Sequence, residues 1–300
     1  MTTSPRGCIL AIAVCALFSP ARVSATGLVY NVPPNAAPTA LLAGETLNLG
    51  IGGSVGPSFT ANAGSTISIQ GGSLGFGSIA GSLDLYSGEL GPATLIQASA
   101  VVTVHGGTVL PVVSSAGDLT VLGGQVQGGL SAGGKLTVAG GQVGPIVPSQ
   151  GSQIFLKGGE IAGTLSPFNG TTFTMTGGTW KGNFWFSIGS TLNLSGGTVQ
   201  DQLSLGDTIL NLTVKSVLVG GAPIAGLIPG VPQVVTQRDT TLSGVLADGT
   251  PFSFDMNSGF VSDQDSFPTT AKVNVTLVPE PSAVVLALAL VALHRRRAAR

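Results

Sequence analysis

Seven carboxylates lie between residues 44 and 214, and they are the first candidates for catalysis. Glycoside hydrolysis needs two carboxyl groups that face one bond, and polysaccharide lyases need a base with cations that stabilise an enolate. Only Glu89 and Glu160 occupy the same place in the repeat described below, four repeats or about 19 Å apart at one strand spacing per repeat. They are too far apart to act together, so we predict no catalytic residue. The seven are Glu45, Asp84, Glu89, Asp118, Glu160, Asp201 and Asp207.

Histidine and cysteine, the usual ligands of transition metals, are scarce. His105 is the only histidine between residues 26 and 278, and a surface polar residue beside a glycine turn is a simpler interpretation than a general base. The glycine pairs lack the aspartate of calcium-binding repeats, and no His/Cys cluster has the spacing of a zinc site. We therefore expect no metal, no cofactor and no enzymatic activity.

Trp185 is the residue that best suits a binding role. It follows a residue predicted to point into the core, so its side chain is expected to face solvent, where a sugar ring could stack on it. A second option is an outward position that often holds threonine, because a flat polar ladder can bind glycan or ice. Threonine also suits any exposed strand, and we favour that interpretation. These threonines are Thr103, Thr120, Thr137 and Thr174.

Charged residues make up only 8% of the chain, against ~25% in a typical soluble domain. Residues 26–278 carry six bases and twelve acids, a net charge of −6. An acidic segment with so few bases is not expected to bind nucleic acid. The surface must instead be covered by Thr, Ser, Gln, Asn and Gly, which a protein embedded in polysaccharide can tolerate.

Glycine pairs recur along the chain and predict the architecture that positions these residues. Pairs begin at positions 52, 71, 106, 123, 140, 158, 177 and 196, and Ser87-Gly88 stands in for a pair at 87. The spacings run from 16 to 19 residues. A near-constant period of this length is typical of a protein built from stacked units.

Apolar residues keep the same register as the glycines. The residues four and two before each pair alternate as in a strand in eight of nine repeats, and the third residue after the start of the pair is apolar in all nine. Such a pattern predicts one coil of a three-sided parallel β-helix per repeat, because the inward residues form a continuous core only when coils stack. The nine residues are Val55, Leu74, Leu90, Val109, Val126, Val143, Ile161, Trp180 and Val199.

We predict an all-β protein whose residues 44–214 form a single-stranded, right-handed parallel β-helix of about nine coils. At one strand spacing per coil, the stack would be about 43 Å long. The variable coil length favours the right-handed form over a solenoid of strict hexapeptide repeats. The alternative is a β-sandwich, in which short strands also recur at regular intervals.

A β-rich cap is predicted at the C-terminal end of the stack, over residues 215–265. The repeat is lost there, but alternating strands flank Asp248-Gly249, a strong hairpin signal. An open β-helix end exposes unpaired strand edges, which a cap would cover. We expect Arg238 to form a salt bridge with Asp239 or Asp248 inside this cap.

Two further segments are predicted to lie outside the stack and the cap. Residues 26–43 are rich in proline and are expected to form an extended leading segment. Residues 266–278 follow the predicted cap and are expected to be a linker. Neither segment shows the glycine pairs that mark the repeats.

The first 25 residues have the organisation of a signal peptide. Arg6 supplies a positive charge, residues 9–18 are apolar, and Val23 and Ala25 are small residues at the −3 and −1 positions of a cleavage site. Signal peptidase is therefore expected to cut between Ala25 and Thr26. Both cysteines of the chain lie in this segment, so no disulfide is expected after cleavage.

A short polar motif, an apolar run and a basic cluster end the chain. The run, residues 283–293, would span about 16 Å as a helix, against ~30 Å for a bilayer core. It suits a transient transmembrane anchor better than a permanent one. The motif is Val278, Pro279, Glu280 and Pro281, and the basic cluster is Arg295, Arg296 and Arg297. Residues 279–300 resemble the PEP-CTERM sorting signal of Gram-negative bacteria.

This resemblance implies that exosortase, a membrane protease, cuts near residues 279–281 and releases the body of the protein to the cell surface or the extracellular matrix. The predicted function is therefore that of an exported structural protein, whose partners are signal peptidase and exosortase during export and exopolysaccharide afterwards. The first alternative is a glycan-binding adhesin of the exopolysaccharide matrix. The second is a polysaccharide lyase or glycosidase, because parallel β-helices often carry such activities.

Overall fold

A computed structural model describes residues 27–279 except 112, 166–168, 187 and 262. The described part is all β and forms a β-solenoid of about ten turns. The predicted β-helix is thereby confirmed, and the β-sandwich alternative is wrong, because successive strands along each face pair in parallel with the next coil rather than in antiparallel hairpins.

Three faces run along the solenoid, and the first carries the longest run of parallel strands. Neighbouring strands pair in register, as Leu119 does with Leu136 and Leu136 with Ile154. Twelve strands of the described chain build this first face. They are Val29–Val32, Thr46–Gly50, Thr66–Leu74, Ser82–Leu90, Val101–Val104, Asp118–Val121, Lys135–Val138, Gln153–Leu156, Thr172–Lys181, Thr191–Val199, Ile209–Val219 and Lys272–Leu277.

The second face follows each glycine pair, and the third face closes the coil. Four long strands of the first face continue onto the second, which joins the two faces in one sheet. The other strands of the second face are Ser54–Val55, Thr108–Val109, Gln125–Val126, Gln142–Val143 and Glu160–Ala162. Those of the third face are Ala40–Leu41, Phe59–Ala61, Gly77–Ile79, Leu95–Ile96, Ser114–Ser115, Leu130–Ala132, Ile146–Pro148, Phe184–Phe186 and Leu203–Leu205.

The apolar register predicted from the sequence forms the core. Both members of each alternating pair before the glycines are buried, from Ile67 and Ile69 to Leu192 and Leu194. In the coil that begins at Gly140 the third face departs from the repeat register: Ile146 is buried, and Val147, seven residues after the start of the pair, is exposed. Ile146 pairs with Leu130, which is seven residues after the start of its own pair. The segment between the glycine pair and the third face is thus one residue shorter than in the coil before, and a shift of one residue reverses which side chain points inward.

The glycine pairs turn the chain between the first and second faces, and the second glycine of a pair needs its missing side chain. Gly124 has a φ of +74°, a conformation that L side chains rarely adopt. A Cβ there would lie 2.5 Å from the carbonyl oxygen of Gly107 in the coil before. Gly141 repeats the relationship, at 2.5 Å from the oxygen of Gly124. The period of the glycines therefore follows from the close stacking of the turns.

Both segments predicted to lie outside the stack belong to it. Residues Val29–Val32 pair in register with Thr46–Leu49, so the predicted leading segment forms the first coil. Residues Lys272–Leu277 pair in register with Ile209–Val214, and Phe267 is fully buried, so the linker prediction for 266–278 is wrong.

The cap is an insertion within the last coil. Strand Ile209–Val219 leaves the stack and pairs in antiparallel fashion with Thr241–Leu246, which pairs with Pro251–Asp255 around the predicted Asp248-Gly249 turn. A third strand, Gln233–Val235, pairs in antiparallel fashion with the last strand of the first face. It covers an edge that would otherwise be open to other chains. The remaining cap strand is Ala222–Pro223.

The predicted signal peptide and the predicted transmembrane run at 283–293 lie outside the described residues. No helix within the described part of the chain is long and apolar enough to cross a membrane.

Candidate functional site: the cleft between the solenoid and the cap

A cleft of about 510 Å³ lies where the second face of the solenoid ends. The last strand of that face ends at Val199, and the chain of the next coil goes into the cap instead of adding another strand. Cap strand Pro251–Asp255 and the segment that returns to the stack form the opposite wall. Because a missing strand leaves a gap in an otherwise continuous sheet, the cleft follows directly from the insertion.

The side chains that line the cleft are mostly polar. Four carboxylates and four amides meet there, and no Lys, Arg or His is among the described side chains that line it. The carboxylates are Asp201, Asp255, Asp263 and Asp265, and the amides are Asn183, Gln200, Gln202 and Gln264. The arrangement offers hydrogen-bond acceptors and a negative potential to a ligand.

Asp265 holds the two walls of the cleft together. One carboxylate oxygen accepts a hydrogen bond from the backbone N–H of Leu203 at 2.7 Å, and the other accepts one from the N–H of Asp255 at 3.0 Å. Burial raises the pKa of Asp265 above its usual range, although the two hydrogen bonds act in the opposite direction. The other three carboxylates are exposed, so they are the ones that a ligand could reach.

Trp185 and Phe260 form an exposed aromatic pair beside the cleft. Trp185 is 48% exposed and Phe260 is 66% exposed, and their ring centroids are 5.8 Å apart. The neighbours of Trp185 in strand Phe184–Phe186 are buried, so strand alternation turns the indole outward, as the sequence predicts. Phe260 comes from the cap, and therefore the pair exists only when cap and solenoid pack together.

The aromatic pair and the cleft are next to each other. Asn183 lines the cleft and comes directly before strand Phe184–Phe186, two residues before Trp185. On the cap side, Phe260 precedes Asp263 by three residues, and the Asp263 carboxylate accepts a long hydrogen bond of 3.5 Å from Gln202. The aromatic pair is therefore close in sequence to one residue on each wall of the cleft.

His105 is not the isolated residue that its position in the sequence predicts. Its Nε2 lies 3.1 Å from Asp84 Oδ1, and its ring stacks on Tyr86 with centroids 4.4 Å apart. Asp84 and His105 lie in neighbouring coils, and His105 is two residues beyond the residue that pairs with Asp84. The repeat register was therefore enough to predict that the two side chains are close. The three side chains form an ordered contact on the surface of the first face.

Glu160 is partnered as well, on the second face. Its carboxylate binds Lys181 and accepts a hydrogen bond from Gln142 at 3.0 Å, and these contacts lower its pKa. Glu89 lies four strands away along the same face, as the repeat predicts. Within the described ranges no group of three or more His, Cys, Asp or Glu side chains could hold a metal ion.

Arg238 does not form the predicted salt bridge. Its guanidinium donates to the backbone carbonyls of Val235, Gln237 and Ala271 at 3.1, 2.8 and 2.7 Å. Partial burial lowers its pKa. Carbonyl acceptors replace a carboxylate partner because Arg238 lies where cap strand Gln233–Val235 approaches the last coil, and the free carbonyls of that junction need donors.

The predicted sorting motif begins where the solenoid ends. The N–H of Val278 still donates to the carbonyl of Val214 at 2.8 Å, and Pro279 is the last described residue. Glu280 and Pro281, the basic cluster Arg295, Arg296 and Arg297, and the cleavage residues Ala25 and Thr26 lie outside the described residues.

Comparison of the chain with protein-family models, with curated proteins and with solved structures finds no match.

Proposed function

We propose that this protein is an exported structural component of the cell surface or extracellular matrix, with a right-handed parallel β-helix as its body. In this proposal the signal peptide is removed after Ala25, and residues 283–293 hold the chain in the membrane until exosortase cuts near Pro279. The supporting observation is the position of Val278, whose backbone is part of the last coil. The last described strand ends at Leu277 and Val278 is its final backbone contact, so a cut after Pro279 would leave every described strand in place.

The shape and surface of the body suit a structural role. Cap strand Gln233–Val235 covers the last strand of the first face, so this strand edge is closed to end-to-end growth by strand pairing. The outward positions of the first face carry amide and hydroxyl groups that bond to each other, as Asn274 does with Asn211 at 2.7 Å and Asn211 with Asn193 at 2.8 Å. Such uncharged ladders add polar contacts without net charge.

Intact-mass analysis and cell fractionation test the sorting proposal, in the native host with and without exosortase activity. We expect a form that starts at Thr26, ends near residues 279–281 and occurs in the matrix only when exosortase is active. A full-length C-terminus retained in the membrane of the normal host would contradict the proposal.

Glycan binding is the second candidate, favoured by the exposed pair of Trp185 and Phe260 beside a polar cleft. An aromatic face next to amide and carboxylate groups matches a ligand with apolar faces and many hydroxyl groups. Retention of the protein by exopolysaccharide of its host should fall in the Trp185→Ala variant. Unchanged retention would remove this candidate.

Polysaccharide cleavage is the third candidate, since four carboxylates share one cleft. The general acid of a glycosidase needs a raised pKa and a free proton. Burial raises the pKa of Asp265, but both of its oxygens already accept backbone hydrogen bonds. We therefore place binding ahead of cleavage, and an assay for new reducing ends or unsaturated sugars should detect no turnover.

A further inference from the structure

The charged side chains that line the cleft between solenoid and cap are all acidic, and this restricts what the cleft can bind. Asp201, Asp255 and Asp263 are exposed carboxylates on its walls, and no basic described side chain lines it. Like-signed charges in one concave site focus their potential on whatever enters. A polymer of uronic acids would be repelled, and a ligand that carries positive charge would be concentrated there.

The aromatic pair also favours a positively charged ligand. The face of an indole attracts a cation placed within about 6 Å of its centre. Trp185 exposes its ring two residues after Asn183, which lines the cleft. Two lining residues, Asn183 and Gln202, supply planar amide groups that can both donate and accept hydrogen bonds. Amides of this kind suit hydroxyl groups, which also donate and accept.

We propose that the cleft binds an amino-sugar polymer, a glucosamine-type polysaccharide whose free amino groups take up protons in the neutral to mildly acidic range. The inference rests on the glycan-binding candidate function and names its ligand class. The ammonium groups would lie between Asp201 or Asp263 and the face of Trp185, while the ring hydroxyls would bond to the amide side chains. No bond is made or broken, and acetylation of the amino group would remove the charge that the site selects.

Titration calorimetry on the protein purified from its host tests the ligand class with four hexamers. These are glucosamine, N-acetylglucosamine and galacturonic acid hexamers and hexalysine. We expect the glucosamine hexamer to bind at least about tenfold more tightly than the acetylated one, which corresponds to ~1.4 kcal/mol. Its affinity should fall as salt rises, and the galacturonic acid hexamer should not bind.

Three binding results would overturn the proposal. Equal affinity for the acetylated hexamer would show a glycan site without selection for charge, so glycan binding would survive and the amino-sugar inference would fail. Equal affinity for hexalysine would show a site for any polycation and would reject the sugar. If none of the sugars binds, glycan binding fails as well, whereas the sorting proposal is decided separately by the mass of the mature protein.

Matched variants locate the site. Asp201→Asn combined with Asp263→Asn keeps the shape of the cleft, since asparagine tolerates the positive φ of 61° at residue 263. We expect this pair to lower the affinity for the glucosamine hexamer about tenfold, and Trp185→Ala to lower it about threefold or more. The controls are Asp118→Asn, an exposed acid on the first face, and Tyr86→Ala, whose ring is 48% exposed like that of Trp185.

The controls should bind as the unaltered protein does, and all variants should unfold at the same temperature within a few degrees. Equal loss of affinity in Tyr86→Ala or Asp118→Asn would place binding outside the cleft and contradict the proposal. If a cleft variant unfolds early, Trp185→Phe provides the second test, because it keeps an aromatic face and should keep most of the affinity.

Discussion

The carboxylate of Asp265 accepts the backbone N–H of Leu203 at 2.7 Å, across 62 residues of sequence. It joins the segment that leaves the cap to a strand of the third face. Its other oxygen accepts the N–H of Asp255 from the cap hairpin. Asp265 therefore connects three segments that meet at the cleft, and the cleft depends on it.

Replacement of Asp265 by asparagine should loosen the cap. The new amide keeps one acceptor oxygen and places an NH₂ group against the second backbone N–H, which leaves that donor unpaired at a cost of about 1–3 kcal/mol. Hydrogen exchange followed by mass spectrometry should show faster exchange in residues 251–265. Asp118→Asn is the control, and equal protection in both variants would show that Asp265 does not hold the cap.

The pH dependence of stability should differ between Asp265 on the one hand and Asp239 and Asp248 on the other. The raised pKa of Asp265 means that the folded protein binds the proton more tightly than the unfolded chain. Its contribution to stability is therefore fully present below the unfolded pKa and is lost as pH rises through the folded pKa. The gap in unfolding free energy between the normal protein and Asp265→Asn should thus widen as pH falls from neutral toward 4.

Asp239 and Asp248 should show the opposite dependence. Hydrogen bonds from Ser258 lower the pKa of Asp239. The pKa of Asp248 is lowered by bonds from Thr250 and Gly197, against a desolvation effect that acts in the other direction. Their contributions are present above the unfolded pKa and are lost as pH falls through the folded pKa. Denaturant titrations from pH 7 to pH 3 on the Asp239→Asn and Asp248→Asn variants measure this. The gap in unfolding free energy from the normal protein should narrow as pH falls, and a gap that widens would contradict the prediction.

Arg238→Lys should weaken the junction of the cap with the last coil. A lysine has one ammonium group and cannot reach the three carbonyls that the planar guanidinium bonds. We expect a loss of about 1.5–3 kcal/mol of unfolding free energy, because hydrogen bonds to a charged group are the stronger ones. Lys157→Ala, at an exposed site, should change it by less than about 0.5 kcal/mol. Equal effects would show that the carbonyl contacts are not stabilising.

Gly124→Ala and Gly151→Ala separate the two requirements on a turn glycine. Both residues have positive φ, +74° and +76°, so alanine costs about 1–2 kcal/mol at either position. At Gly124 the added Cβ also meets the Gly107 carbonyl oxygen at 2.5 Å, whereas at Gly151 nothing lies within 4 Å. Gly124→Ala should therefore be the more destabilising change in a denaturant titration. Equal losses would mean that stacking of the turns imposes no additional constraint.

Trp180→Ala should be the most damaging single change in the core. Trp180 is fully buried, packs edge to face on Phe173 with centroids 5.4 Å apart, and donates its indole N–H to the Gly182 carbonyl at 2.8 Å. We expect a loss of about 3–5 kcal/mol, as for other large-to-small core changes. Trp185→Ala, on the exposed side of the next strand, should cost less than about 1 kcal/mol. Both are measured by thermal unfolding, and similar losses would contradict the assigned burial.

The repeat and its core could be predicted from the sequence, because each coil is built from local signals. The glycine pairs require their backbone conformation, and the alternation of residues such as Leu136 and Val138 follows the period of a strand. Stacking then repeats the same contact, so a register read from one coil holds for the next. The shift at Ile146 and Val147 shows the limit, since one residue fewer between the glycine pair and the third face reverses the alternation.

The cleft could not be predicted, because its residues come from segments that only the tertiary structure brings together. Strand alternation predicts that Trp185 faces solvent, but its partner Phe260 lies in the cap, which has no repeat to place it. Likewise, Lys272–Leu277 has the alternation of a strand and no glycine pair, so its place in the stack depends on pairing with Ile209–Val219, more than fifty residues earlier. Local patterns determined the coils of this protein, and long-range pairing decided how the stack ends and where its cleft lies.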